Sequence, residues 1–201
     1  MADVSSPTFW DDLYHRPHQP WDLGGPTPAL IELIESTAMS AGRIAVPGCG
    51  RGHDVRYLAT RGHDAIGFDF VERAVTAART LARMEQSAAR FELRDVFGLG
   101  AEYPAAFDAA WEYTCYCAID PARRVEYVEV LATILRPGGA LLACFFPTSG
   151  GTGGPPFTVD VGEMRQRLGR HFTIEREFAP ASSPPERRGQ ELAVYAIRTP
   201  C

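Results

Sequence analysis

A short apolar run followed by alternating glycines is the feature that most constrains this chain. Residues 44–47 have the composition of a buried strand, and a helix-forming segment begins a few residues later. Between them stand glycines at alternate positions, Gly48, Gly50 and Gly52. Glycine allows a tight turn and a close approach of backbone to ligand, so this order predicts a site for an adenosine-bearing cofactor. Asp69 ends the next apolar run, where its carboxylate can accept hydrogen bonds from both ribose hydroxyls.

Strands and helices alternate along the rest of the chain. We predict strands over 43–47, 64–69, 89–94, 107–113, 140–146, 172–178 and 191–198. We predict helices over 8–14, 52–60, 71–85, 121–135 and 160–169, with one more starting at Pro28. This alternation predicts a single α/β domain over residues 1–201, a Rossmann-like fold with a mostly parallel seven-stranded sheet and helices on both faces. The last two strands have no long helix between them, so one of them should run antiparallel.

Local signals set two of the helix starts. Thr27 stands ahead of Pro28, which predicts a helix whose N-cap is the threonine hydroxyl. Asp160 is followed three residues later by Glu163, a variant of the capping box that predicts another helix start.

The charge balance disfavours nucleic acid and acidic membranes as partners. The net charge is −5, and no segment concentrates arginine. The N-terminus has no basic stretch followed by an apolar run, and no apolar segment is long enough to span a bilayer. We therefore expect a protein that acts on a small-molecule substrate. Few large apolar residues fall outside the predicted elements, so we expect a monomer.

The cysteines favour a reducing compartment. They are odd in number and show no Cys-x-x-Cys spacing: Cys49, Cys115, Cys117, Cys144 and Cys201. This pattern argues against a disulfide framework and a structural zinc, and it predicts a cytoplasmic protein. His53 and His63 each precede an aspartate, but no third residue stands at metal-ligand spacing, so we expect no metal site. All 20 basic residues are arginine, which favours a GC-rich, bacterial source.

The absence of lysine narrows the choice of cofactor. It rules out the Tyr-x-x-x-Lys pair of a nicotinamide enzyme and the Gly-Lys-Ser/Thr phosphate loop of a nucleoside triphosphatase. S-adenosylmethionine carries no phosphate and needs no cation to cradle one. After the third predicted strand, Asp95-Val96-Phe97 sets a carboxylate beside apolar side chains, which suits an adenine. We therefore predict S-adenosylmethionine as the cofactor.

Several more specific motifs lie in order between residue 9 and about residue 190. They are Phe9-Trp10 with Tyr14, Pro20-Trp21-Asp22, Val-Pro-Gly-Cys-Gly-Arg-Gly-His-Asp at 46–54, Gly67-Phe68-Asp69, Asp95-Val96-Phe97, Trp111-Glu112-Tyr113, Cys117-Ala118-Ile119 and Gly153-Gly154-Pro155-Pro156-Phe157. On these residues the chain resembles the thiopurine methyltransferase family, and most of all its thiol/halide methyltransferase branch. The resemblance implies a class I fold that uses S-adenosylmethionine.

By resemblance, four groups of residues hold the cofactor. Aromatic side chains of an N-terminal lid within residues 8–40 would close over its methionine part: Trp10, Tyr14 and Trp21. The remaining contacts would come from Gly48 and Gly50 in the glycine turn, Asp69 at the ribose, and Asp95 and Val96 at the adenine. Aromatic faces attract a sulfonium by cation–π interaction, which suits the lid residues to this position.

The resemblance also implies residues for the methyl acceptor. Tyr113 would orient the nucleophile, because a tyrosine occupies this position in the thiol/halide branch and an arginine occupies it in the thiopurine branch. Arg187 and Phe157 would contact the substrate from pocket loops at 178–190 and 147–158.

Each of these residues also has a purely structural interpretation. The lid aromatics can be core side chains, Asp69 can cap the following helix, and Asp95 can close a turn. Tyr113 can be a buried strand residue, and Arg187 can be a solvated loop charge. One neighbouring group is expected to pack and not to react: Cys115, Tyr116 and Cys117.

The implied activity is transfer of a methyl group from S-adenosylmethionine to a small soft nucleophile, such as a thiol, sulfide, halide or heterocyclic thiol. In-line displacement at carbon mainly requires alignment and desolvation. A small thiol is already partly ionised near neutral pH, so the chain needs no Ser-His-Asp set. Two alternatives stay open: N- or O-methylation of a specialised metabolite, and a non-catalytic module that binds S-adenosylmethionine.

Overall fold

The computed structural model describes residues 3–37 and 39–200, so Cys201 lies outside the described residues. The helices are α1 Pro7–Tyr14, α2 Pro28–Thr37, α3 His53–Thr60, α4 Glu72–Met84, α5 Leu99–Glu102, α6 Arg124–Ile134 and α7 Val161–Leu168. The strands are β1 Arg43–Pro47, β2 Asp64–Asp69, β3 Arg90–Leu93, β4 Phe107–Tyr113, β5 Leu135–Phe145, β6 Phe172–Phe178 and β7 Leu192–Arg198.

All of these strands form one sheet, in the order β3-β2-β1-β4-β5-β7-β6. β7 runs antiparallel to both of its neighbours, whereas the other adjacent pairs are parallel. The predicted mostly parallel sheet with one antiparallel strand is therefore confirmed. The strand order reverses between β1 and β4, and ligands of open α/β sheets bind beyond the carboxyl ends of the strands at such a reversal.

Both faces of the sheet are buried, which explains why its central strands are almost continuously apolar. One face packs into a core that includes Ile44, Ala65, Trp111 and Leu142. The other face packs into a second core that includes Ala45, Ile66, Ala110 and Leu141. In the part of the chain that the structure describes, no helix combines the length and the apolar character that a membrane crossing requires.

The elements differ from the predictions by more than one residue at three places. The short helix α5 was not predicted. The helix predicted from residue 121 begins as a 3-10 turn over Pro121–Arg123 before α6 continues it. β5 begins at Leu135 instead of residue 140, because Leu135 follows α6 directly and already pairs with Phe107 of β4.

At the start of α2, the Thr27 hydroxyl makes a different hydrogen bond from the N-cap bond that we predicted. The Thr27 hydroxyl donates to Asp54 Oδ2 at 2.8 Å, and the Thr27 amide donates to Asp54 Oδ1 at 2.6 Å. Trp111 Nε1 donates to the same carboxylate at 2.7 Å. Asp54 therefore joins α2, α3 and β4, and the threonine hydroxyl contributes to a tertiary contact and not to a cap.

The predicted cap of α7 is confirmed, and it yields a stability prediction. Asp160 precedes the helix, and its Oδ1 accepts a hydrogen bond from the Glu163 amide at 2.8 Å. Asp160→Ala should lower the free energy of unfolding by about 1 kcal/mol, because an amide of the first turn loses its partner. Urea unfolding measures this change, with Asp160→Asn as the control that keeps a capping oxygen. Equal stability of the alanine variant and the native chain would contradict a role for this cap.

Candidate active site

The glycine turn that follows β1 needs glycine for two physical reasons. Gly48 and Gly52 have φ values of 63° and 71°, in the left-handed region that other residues rarely adopt. A Cβ on Gly52 would lie 2.2 Å from the Phe91 ring, and a Cβ on Gly48 would lie 2.9 Å from Cys115 Sγ. The turn therefore packs tightly against Phe91 and Cys115. Its backbone lies at the carboxyl ends of β1 and β4.

Asp69 lies at the end of β2 and connects the glycine turn to the start of α4. Its Oδ2 accepts a hydrogen bond from the Gly50 amide, and its Oδ1 accepts one from the Val71 amide, both at 2.9 Å. Burial raises the pKa of Asp69 to about 6, although these two amides favour the charged form. Asp69 also lines the main cavity, and each carboxylate oxygen keeps a further lone pair for a ligand.

The three predicted lid aromatics form one cluster. Trp21 stands edge-to-face against Trp10 and Tyr14, with ring centroids 5.7 and 5.4 Å apart. All three side chains are only partly buried and line the main cavity. The alternative that they are core side chains is therefore wrong for this structure.

Polar contacts hold the lid segment onto the glycine turn. Asp22, which follows Trp21, lies 3.1 Å from both His53 Nε2 and an Arg51 guanidinium nitrogen. The hydrogen bond from His53 is the main reason why the pKa of Asp22 falls to about 2. Arg51 also donates to Gln19 Oε1 at 2.9 Å. These contacts place the aromatic cluster beside the backbone of the glycine turn.

The main cavity has a volume of about 360 Å³ and a largely apolar lining, within the usual size range of small-molecule sites. Its wall comes from the lid, the glycine turn, the ends of β2 and β5, and the loops that follow β3 and β4. The lining includes Val4, Leu13, Gly48, Asp69, Asp95, Val96, Phe97, Cys115, Cys117, Ile119, Phe146, Pro155, Pro156 and Arg187.

The part of the cavity wall that follows β3 is called the slot. Asp95, Val96 and Phe97 all line it, and Val96 is buried. Asp95 Oδ1 accepts a hydrogen bond from the Phe97 amide at 3.0 Å, so Asp95 closes a turn and lines the cavity at once. The Arg123 guanidinium carbon lies 3.3 Å from the centroid of the Phe97 ring and covers the outer side of this slot.

A buried chain of polar groups reaches the cavity wall at Arg187. The Tyr113 hydroxyl donates to Glu191 Oε1 at 2.6 Å and accepts a hydrogen bond from Arg187 Nη1. Arg187 Nη2 donates to the Pro20 carbonyl at 2.8 Å, which joins this group to the lid. Arg187 is only 3% exposed and lines the main cavity, so the alternative of a solvated loop charge is wrong.

Two predicted substrate-site residues lie outside the wall of the main cavity. Tyr113 lines a smaller cavity of about 60 Å³ that shares Trp21, Gly48 and Thr114 with the main one. Burial raises the pKa of Tyr113, so its phenol stays neutral. Phe157 does not line the wall: its ring lies so close to Gly154 that a Cβ there would be 2.5 Å away. The prolines that precede Phe157 contribute to the wall in its place.

Sequence reasoning did not find Glu191 or Phe146, and it expected Cys115 and Cys117 only to pack. Both cysteines are buried, yet both line the cavity. Burial raises the pKa of Cys117 to about 12, so its thiol is neutral. Among the described residues, no group of three histidine, cysteine or acidic side chains is arranged to hold a metal.

The chain is similar to known proteins over nearly all of its length. The family model described as Thiopurine S-methyltransferase (TPMT) matches residues 5–199. "Probable thiol methyltransferase 2" of Arabidopsis thaliana is 33% identical over 168 residues, which cover 84% of this chain and 74% of that protein. "Thiopurine S-methyltransferase" of Pseudomonas fluorescens (strain SBW25) is 29% identical over 185 residues, which cover 84% of each.

Solved structures agree with the fold. The 1,6-didemethyltoxoflavin-N1-methyltransferase of Burkholderia thailandensis, solved with S-adenosylhomocysteine, superposes with a TM-score of 0.80 at 24% identity. The match covers 99% of this chain and 89% of that one.

Proposed function

Because this chain belongs to the thiopurine S-methyltransferase family and is an S-adenosylmethionine-dependent methyltransferase, we propose that its methyl acceptor is a small soft nucleophile. The acceptor class is a thiol, hydrosulfide, halide or heterocyclic thiol. One observation carries this proposal: the buried guanidinium of Arg187 lines an apolar cavity and makes no ion pair with any described residue. A buried cation without a paired carboxylate favours a small anion beside it.

The residues of this chain fit the cofactor in three parts. The aromatic lid can take the sulfonium, since each such contact contributes about 0.5–2 kcal/mol when it is desolvated. The glycine turn and Asp69 can take the methionine and ribose parts, and the slot at Asp95 and Val96 can take the adenine. When bound, S-adenosylmethionine supplies an electrophilic methyl group.

The chain's own side chains then have to align the acceptor and exclude water. Arg187 attracts the anion, and the apolar groups of Phe146, Pro155 and Pro156 remove part of its hydration. Tyr113 holds Arg187 in place, and the Pro20 carbonyl ties Arg187 to the lid. A thiolate or a halide attacks without further activation, so alignment and desolvation are the main catalytic contributions.

An acceptor panel tests this proposal. Purified protein with S-adenosylmethionine is assayed for S-adenosylhomocysteine with hydrosulfide, alkyl and aryl thiols, iodide, bromide and a heterocyclic thiol, and with amines and phenols as controls. We expect turnover with the sulfur and halide acceptors. Turnover of the amines or phenols alone would contradict the proposed acceptor and favour N- or O-methylation of a specialised metabolite.

The raised pKa of Asp69 gives the proposed ribose contact a pH dependence. Ribose hydroxyls donate to the ionised carboxylate, so affinity should rise as Asp69 loses its proton around pH 6. We expect S-adenosylhomocysteine to bind up to about tenfold more tightly at pH 7 than at pH 5, with no further gain above pH 7. Calorimetric titration measures this difference.

Asp69→Asn is the matched control for that pH dependence. Burial also raises the pKa of Glu112, to about 7, but Glu112 does not line the cavity. The pH dependence should therefore flatten in the asparagine variant. An unchanged slope in that variant would contradict the assignment to Asp69.

The proposal also includes a reducing, cytoplasmic setting and a monomeric chain. The described cysteines are all free thiols, namely Cys49, Cys115, Cys117 and Cys144, which a reducing compartment would preserve. Sedimentation velocity tests the monomer directly: a dimer at micromolar concentration would contradict it.

A further inference from the structure

Glu191 is a buried acid that the proposed chemistry does not yet use. It directly precedes β7 and is 5% exposed. A hydrogen bond from Tyr113 connects it to the candidate site. Its Oε1 accepts the hydrogen bond of the Tyr113 hydroxyl, and its buried Oε2 has no hydrogen-bond partner among the described residues. A buried oxygen that lacks a donor is costly, so its presence requires an explanation.

The direction of the hydrogen bonds in this chain of groups is fixed by chemistry. An arginine only donates, so the Tyr113 oxygen accepts from Arg187. The single proton of Tyr113 is then directed to Glu191 Oε1, which accepts the hydrogen bond. Tyr113 lines the smaller cavity, which shares Trp21, Gly48 and Thr114 with the main one, and its oxygen is bonded directly to Arg187. An acceptor that contacts Arg187 from this side would reach a phenol oxygen whose own proton already points to Glu191.

On this geometry, and resting on the proposed function, we propose that Glu191 receives the proton of a protonated acceptor, such as a neutral thiol or hydrogen sulfide, through Tyr113. The acceptor S–H bond breaks and its proton passes to the Tyr113 oxygen, while the Tyr113 proton passes to Glu191 Oε1. The acceptor sulfur forms a bond to the methyl carbon. The bond from that carbon to the sulfonium breaks, and its electron pair stays on the departing sulfur.

Glu191 is thus a positioning residue that acts through Tyr113. Besides Glu191, the charged and titratable groups that act on Tyr113 are Arg187 and Cys144 of β5, and Glu112 and Asp54 act in turn on Cys144. Burial raises the pKa of the Cys144 thiol, so it stays neutral. The relay therefore depends on the carboxylate alone.

A halide carries no proton, which provides an internal control for this idea. A small alkyl thiol with a pKa of about 8.5 is only about 3% ionised at pH 7. Without the relay, only the thiolate already present in solution can react. The loss of kcat/KM for the thiol at pH 7 is therefore limited to roughly thirtyfold. General-base assistance commonly contributes about 10²-fold or more, so the loss of thiol turnover should come close to that limit.

The test compares Glu191→Gln with the native chain, using an alkyl thiol and iodide as acceptors between pH 6 and pH 10. We expect the ratio of thiol to iodide kcat/KM to fall by about tenfold or more at pH 7 and to recover near pH 10, where the thiol is ionised. The thiol profile of the variant should follow the thiolate fraction in solution. Glu175→Gln makes the same chemical change on the exposed face of β6 and is the matched control.

A second variant and a binding measurement keep the test decisive. Tyr113→Phe removes the relay without touching the carboxylate, and it should produce the same fall in the ratio. S-adenosylhomocysteine affinity, measured by calorimetry, should stay within about twofold in Glu191→Gln, because the acid does not line the main cavity.

The outcomes are distinguishable. A proportional loss for thiol and iodide at every pH would overturn the relay and leave Glu191 a structural counter-charge. Unchanged thiol profiles in both variants would overturn it as well. If the native chain binds S-adenosylhomocysteine but methylates neither acceptor, the proposed function fails and the relay fails with it.

Discussion

Replacing Asp69 with alanine is expected to weaken S-adenosylhomocysteine binding about hundredfold. The carboxylate accepts the amides of Gly50 and Val71, so its loss leaves two buried donors unpaired and frees the glycine turn. It would also remove the proposed ribose contact. Hydrogen bonds to a charged group contribute about 1.5–3 kcal/mol each. A net loss of about 3 kcal/mol corresponds to that change in affinity.

Calorimetric titration of the Asp69→Ala protein measures the effect. Glu72→Ala is the control, since Glu72 is an exposed acid three residues further along. Asp69→Asn keeps one accepting oxygen and should lie between the alanine variant and the native chain. If the Asp69→Ala protein is folded and binds S-adenosylhomocysteine with native affinity, Asp69 does not contribute to cofactor binding.

Replacing Arg187 with methionine is expected to lower kcat/KM for iodide by about hundredfold or more. Methionine keeps most of the apolar bulk and removes the buried cation beside the cavity. A hydrogen bond to a charged group contributes about 1.5–3 kcal/mol, so the loss of the guanidinium contact would appear mainly in binding of the anion.

The neighbouring residue provides the control for this prediction. Arg188→Met removes the same charge from an exposed side chain, and it should leave iodide kinetics within about twofold of the native values. Arg187→Lys keeps the charge but not the forked geometry, so an intermediate loss is expected. Native iodide kinetics in Arg187→Met would show that the guanidinium does not attract the acceptor.

The sequence predicted the fold, and most of the residues that it assigned to the cofactor line one cavity, because those signals are local. The glycine turn, Asp69 and the apolar strands each depend on residues close together in the chain, and the mostly parallel sheet follows from alternating elements. The sequence did not predict helix α5, because four residues are too few to show helical periodicity.

The acceptor end of the site could not be predicted in the same way, because it depends on distant contacts. Tyr113 and Glu191 are 78 residues apart in sequence, and Arg187 and Pro20 are 167 apart. Nothing near Arg187 indicates that it is buried, since prolines, glycines and charges surround it. Phe157 was assigned from its motif, but tight packing against Gly154 removes its ring from the wall and leaves the adjoining prolines there.

Headspace gas chromatography of methyl iodide tests the central claim most directly. Purified protein, S-adenosylmethionine and iodide are sealed together, with Arg187→Met and a protein-free vial in parallel. The account predicts methyl iodide that depends on the native protein and accumulates in step with S-adenosylhomocysteine. Absence of methyl iodide, and of methyl thioether in a parallel vial with a thiol, while a vial with an amine or a phenol shows methylation, would contradict a soft-nucleophile acceptor.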